Sequence, residues 1–98
     1  MRFFVMERVR AGAMERKDFE KMAVDDLDYK RKLEKAGKIV GGPCLDVIGV
    51  GYILETKTLE ELGEIFFASP SNLVVERSVH PLGTFKDSLE GMKEMRKK

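Results

Sequence analysis

The stretch from Ile39 to Leu62, IVGGPCLDVIGVGYILETKTLEEL, decides how the chain folds. Two short β-prone runs, Ile39 to Leu45 and Val50 to Glu55, are separated by Asp46, Val47, Ile48 and Gly49, a spacing that predicts a hairpin. Gly41, Gly42 and Pro43 interrupt the first run. Glycine weakens a strand unless geometry demands it, so they predict a bulge or a close backbone approach. Directly after the hairpin, Thr58 and Glu61 form a capping box, and Leu59, Leu62, Ile65 and Phe66 supply an apolar stripe. A helix therefore follows the hairpin and ends near Ala68, before Pro70.

Outward toward the N-terminus, Ala36 closes a long charged segment whose apolar residues Phe19, Met22, Ala23, Leu27 and Leu33 approximate helical spacing. A helix from about Asp18 to Ala36 is predicted. Acids dominate from Glu15 to Asp28 and bases from Tyr29 to Lys38, which complements the helix macrodipole, and Gly37 supplies the residue beyond its end. Before it, after a loop at Ala11 to Ala13, Arg2 to Arg10 reads as a strand with Phe3, Val5 and Val9 on one side and Phe4 and Met6 on the other. Toward the C-terminus, Asn72 to His80 is the last strand, stopped by Pro81. Thr84 to Lys98 then places Phe85, Leu89 and Met92 at helical spacing among lysines, predicting an amphipathic third helix.

The order is βαββαβ with an appended helix, the pattern of an α+β, ferredoxin-like fold. Right-handed crossovers close it into a four-stranded antiparallel sheet with two helices on one face. At 98 residues the chain forms one domain, 1–98, with 84–98 as a C-terminal helical extension. Phe4, Met6, Tyr52 or Ile53, and Val74 or Val75 make the strands apolar on both sides, yet two helices cover only one. A second copy packed on the free face is the economical cover, so a homodimer or higher homo-oligomer is expected, with cavities between sheet and helices.

Composition excludes several functions. Eighteen basic and 17 acidic residues leave a net charge of +1, too little to gather a polyanion, so no nucleic acid partner is expected. No apolar run approaches the roughly 20 residues that cross a bilayer, and charges follow the apolar N-terminal residues at once, so the expectation is a soluble, cytoplasmic protein without a membrane partner. The single cysteine, Cys44, and single histidine, His80, give no metal site. Gly41 and Gly42 lack the spacing and the following Lys and Ser or Thr of a phosphate loop, and no cofactor is expected.

Several motifs resemble the dimeric α+β barrel proteins, in particular the muconolactone isomerase-like and YCII-related groups. The run from Val24 to Tyr29, then Leu33 and Gly37, resembles the end of the isomerase group's first helix. Gly37, Gly41, Gly42 and Pro43 resemble the glycine-rich second strand of YCII-related proteins. Tyr52 to Glu55 and Leu59 to Leu62 resemble the third strand and second helix of both, and a proline after the last strand, here Pro81, is shared. The chain departs from the YCII pattern, which has a histidine on the first helix and an aspartate before the proline that follows the second. Here the first helix has no histidine, and Ser69 precedes Pro70. The resemblance implies a cofactor-independent isomerase or lyase acting by proton transfer on a small carboxylate-bearing metabolite. The departures favour the alternative, a non-catalytic small-ligand binding or protein-interaction module.

For catalysis the candidates are Asp26 and His80. Asp26 lies seven residues from both Phe19 and Leu33, so the helix turns it toward the apolar stripe, where a carboxylate suits proton transfer on a carbon acid. The other reading is a solvated face shared with Asp25 and Asp28. His80 ends a strand and either relays a proton or bonds a backbone carbonyl. Ser78, His80 and Glu76 make no triad, because same-face neighbours on one strand lack a nucleophile elbow. For ligand binding the candidates are Phe4 and Tyr52, which line a cavity or fill the core, and Arg8 and Arg77. Those arginines either clamp a carboxylate or pair with Glu7 or Glu76 on a neighbouring strand. Cys44 is reactive or simply a small buried hydrophobe.

Overall fold

The computed structural model describes residues 1–97, and Lys98, the last residue of the expected tail helix, lies outside them. Strand β1 spans Arg2–Val9 and a single 3-10 turn covers Ala13–Glu15, followed by helix α1 at Phe19–Lys35. Strands β2 (Ile39–Pro43) and β3 (Gly49–Glu55) form the hairpin; helix α2 (Leu59–Phe67), strand β4 (Val75–Leu82) and helix α3 (Phe85–Arg96) complete the chain. The four strands form one antiparallel sheet in the order β2-β3-β1-β4. This is the ferredoxin-like α+β arrangement that the order of periodicities predicts.

Local chemistry explains the boundaries. Thr58 Oγ1 accepts a hydrogen bond from the Glu61 amide at 3.1 Å, while Glu61 Oε2 accepts from the Lys57 amide at 3.1 Å, so α2 starts where its capping residues stand. Gly37 leaves α1 at φ 76°, in the left-handed region that favours glycine. Strand β4 is displaced from its expected place. Residues 71–74 form a turn, closed by the Val74 amide on the Ser71 carbonyl at 2.9 Å, and pairing begins only at Val75. Pro81 does not stop the strand but sits opposite Phe3, which an edge strand tolerates because its outward side needs no partner.

The glycines of β2 mark a close approach. A Cβ on Gly41 would stand 2.2 Å from the Gly51 carbonyl oxygen and 2.6 Å from Tyr52 Cα. Backbone cannot yield there without parting β2 from β3. Gly41→Ala is expected to cost about 1–3 kcal/mol, read as a lower urea midpoint with an unchanged slope.

Two apolar clusters lie between sheet and helices. One contains Phe3, Val5, Ile39, Tyr52, Leu54 and Ile65; the other contains Ala13, Val74 and Val75, with Val9 and Phe19 packed against it. Along β1, Val5 belongs to the first and Val9 to the second, so the inward residue between them, Glu7, falls on the seam. The opposite sheet face carries Phe4, Met6 and Ile53 with Arg8, Ser78 and His80, and neither α1 nor α2 packs on it. Helix α3 leaves the body altogether. Its Phe85 is 96% exposed and Leu89, Met92 and Met95 are more than half exposed, and the molecule measures 60 × 26 × 22 Å.

Candidate functional site

A cavity of about 420 Å³ opens on the helix-bearing side of the sheet, beside α1 and the connection between β2 and β3. Its walls are apolar, with Val9, Phe19, Leu27, Ile48, Val50 and Val75 among them. Its polar lining is the Glu7 carboxylate, the Asp26 carboxylate and the Ser71 hydroxyl. A smaller space of about 160 Å³ adjoins it across Leu27, Pro43 and Val50 and is lined by Lys30, Arg31 and Tyr52.

Helical and strand periods bring the polar groups together. Asp26 and Lys30 are one turn apart on α1 and form an ion pair, while Lys30 Nζ also stands 2.8 Å from Glu7 Oε1 on β1. Ser69 Oγ donates to Asp26 Oδ1 at 2.8 Å and shares a 3.3 Å hydrogen bond with the Ser71 hydroxyl. On the other side of Glu7, Tyr52 Oη donates to Oε2 at 2.7 Å and Arg77 Nε donates to the same oxygen at 2.8 Å. Arg77 Nη1 donates to Asn72 Oδ1 at 2.8 Å, and the guanidinium lies 4.4 Å from the Phe66 ring centroid. Glu7 is 1%, Asp26 6% and Lys30 8% exposed, so these charges are held largely out of water.

Charge balance makes this burial tolerable: two carboxylates face an ammonium and a guanidinium. Burial alone pushes the Glu7 carboxyl up, but Lys30, Tyr52 and Arg77 together outweigh it and hold Glu7 below the ordinary carboxylate value. Burial first, and then the adjacent Glu7 charge, push the Tyr52 phenol far up, so Tyr52 remains a donor. The result is a carboxylate and an ammonium in direct contact at the edge of an apolar space, the elements of acid and base chemistry.

The structure sorts the residues singled out in the sequence onto the two sheet faces. Asp26, Tyr52 and Arg77 lie on the helix side, where Tyr52 and Arg77 contact Glu7 directly and Asp26 is joined to it through Lys30. Phe4, Arg8 and His80 stand on the other face, where the rings of Phe4 and His80 lie 6.3 Å apart. The sheet therefore separates Asp26 from His80, and within one chain they do not share a ligand. Cys44 is half-buried, lines the larger cavity, and has its Sγ 3.8 Å from Met6 Sδ. Among the described residues, no group of three metal-ligating His, Cys, Asp or Glu side chains forms.

The sequence named Glu7 only as a pairing partner for an arginine and Ser69 only as the residue before Pro70, and it singled out neither of them, nor Lys30 or Ser71, as site residues. A signal existed for two of them. Glu7 shares the phase of Phe3, Val5 and Val9, so an acid stands on an otherwise apolar strand face, and Lys30 follows Asp26 by one helical turn. The serines lie in an irregular turn, where no period indicates direction.

No protein-family model matches the chain, and neither does any curated protein. Among solved structures, 5-chloro-2-hydroxyhydroquinone dehydrochlorinase from Burkholderia phenoliruptrix, in complex with 2,5-dihydroxybenzoquinone, superposes with a TM-score of 0.68. The two share 23% identity, over 89% of this chain and 98% of that one, and the likeness shows a common fold. A protein from Agrobacterium tumefaciens covers 87% of this chain and 96% of its own at a TM-score of 0.44 and 16% identity.

Proposed function

We propose that the protein binds a small, largely apolar and uncharged organic molecule in the cavity beside α1 and catalyses a cofactor-independent proton transfer on it, with Asp26 as the base. One observation carries this reading: Glu7 and Asp26, which line the apolar cavity, and Lys30, which lines the space adjoining it, are charges buried where hydrocarbon would serve stability as well or better. The dehydrochlorinase neighbour, whose structure holds a small ring compound, supports the reading by its fold. The cavity's charged lining is two carboxylates, while Lys30 and Arg77 are already paired, so a neutral ligand fits better than the carboxylate that the sequence resemblance implies. That difference narrows the isomerase reading to neutral substrates such as lactones and ketones.

Proton transfer is tested without knowing the natural substrate. Small cyclic ketones and lactones, incubated with the protein in D2O, are expected to exchange the hydrogen next to their carbonyl, read by loss of its proton NMR signal. Asp26→Asn should slow that exchange by about 100-fold or more while leaving binding in place. A second reading keeps the cavity and drops the chemistry: Lys30 and Ser69 already engage both Asp26 oxygens, as a binding module would have them. Probes that bind with no exchange above background decide for that module.

This reading also assigns a second copy of the chain to the uncovered sheet face and to α3. Phe4, Met6 and Ile53 on the sheet and Phe85, Leu89 and Met92 on α3 are the apolar groups it would cover, which places Arg8 and His80 at the interface.

A further inference from the structure

An ammonium carries three N–H donors; Lys30 Nζ hydrogen-bonds Asp26 Oδ2 and stands in an ion pair 2.8 Å from Glu7 Oε1, with the Tyr52 ring centroid 5.8 Å away. One donor is left over. Lys30 lines the smaller cavity, which adjoins the larger one across Leu27, Pro43 and Val50, while Asp26 lines the larger. A ligand lying across that boundary would meet a base at one atom and a spare hydrogen-bond donor at the next.

We propose that Lys30 is a second catalytic residue and that the space it lines is a carbonyl subsite, which defines the substrate class as neutral carbonyl compounds with a hydrogen on the adjacent carbon. This rests on the reading of Asp26 as the base. Asp26 takes the proton from the carbon next to the carbonyl; the electrons of that C–H bond form a C=C bond, and the C=O π pair moves onto oxygen. Lys30 donates its third N–H to the oxyanion. When the pair returns, the protonated Asp26 gives its proton back to the same carbon or to one conjugated with it, and no oxidant or reductant is consumed. An ammonium so placed favours charge that develops only along the reaction path, and the dry surroundings strengthen it. Glu7 is a positioning residue. Tyr52 and Arg77 anchor its Oε2, and its Oε1 holds Lys30 beside Asp26 on an otherwise flexible four-carbon stem.

Two probes of equal shape test this, cyclohexanone and methylenecyclohexane, since only the ketone offers an acceptor. The wild-type protein should bind the ketone about tenfold more tightly, and a carbon-13 label at its carbonyl should shift downfield on binding. Asp26→Asn and Lys30→Arg should keep both the preference and the downfield shift. The double variant Glu7→Gln with Lys30→Met, which removes the charges as a pair, should bind the two probes equally. Equal binding by the wild type, or an unmoved carbonyl signal, overturns the role of Lys30 without recourse to any variant. Failure of both probes to bind overturns the cavity reading as well, whereas binding with preference but without exchange in D2O spares Lys30 and removes Asp26 as the base.

Discussion

Glu7→Leu is expected to cost about 3–5 kcal/mol of folding stability, the largest effect of any single substitution considered, because it strands two buried cations. As acceptors, Lys30 would keep only Asp26 and Arg77 only Asn72, and the Tyr52 hydroxyl would have none. Urea denaturation at neutral pH measures the loss. A cost below about 1 kcal/mol would show that water reaches the site and screens these charges. The effect depends on pH with a defined sign. Glu7 has a folded value below its ordinary 4.5, so its contribution is fully present above that value and is lost as pH falls through the lowered folded value. The gap between wild type and variant should therefore be constant at neutral pH and narrow in acid, below about 4.5.

Truncation after Gly83 is expected to dissociate the dimer proposed above. Phe85, Leu89 and Met92 are all more than half exposed in the single chain, and each is worth about 1.5–3 kcal/mol on full burial. If half of that survives the cost of ordering, roughly 2–4 kcal/mol remains, which changes association by roughly 30- to 1000-fold. Sedimentation across a range of concentrations should show the full chain as a dimer at micromolar levels and the truncated chain as a monomer. If the shortened chain keeps its melting temperature and its mass in solution, α3 is a solvated appendage and its apolar spacing has no partner.

The two variants bear on different levels of organisation. Glu7 lies inside the fold, where the cost of a lost partner is set by desolvation and does not depend on protein concentration. Helix α3 lies outside it, and anything it contributes scales with concentration by mass action. Melting temperatures measured at two concentrations tell these effects apart.

The amino-acid sequence by itself determined the order of elements and the inward face of β1, while leaving open whether Tyr52 or Ile53 of β3 points inward. Alternation along Phe3, Val5 and Val9, the capping box at Thr58 and Glu61, and the glycines at Gly37 and Gly41 are local signals, written in periods of 2 and 3.6 residues and in backbone angles. They offered a buried stripe or a solvated face for Asp26, and a ligand clamp or a pairing with Glu7 or Glu76 for Arg77; the fold buries Asp26 and pairs Arg77 with Glu7. Only the tertiary structure decided which buried groups meet. Glu7 and Lys30 are 23 residues apart in sequence, and Ser69 reaches Asp26 over 43, so this ion pair and this hydrogen bond exist because β1, α1 and the turn after α2 converge on one seam. Likewise, Asp26 and His80 were the two candidates for shared acid and base duty until the sheet set them on opposite faces. A period tells a side chain which way to point along its own element, but which groups it meets depends on how separate elements pack, and no local pattern encodes that.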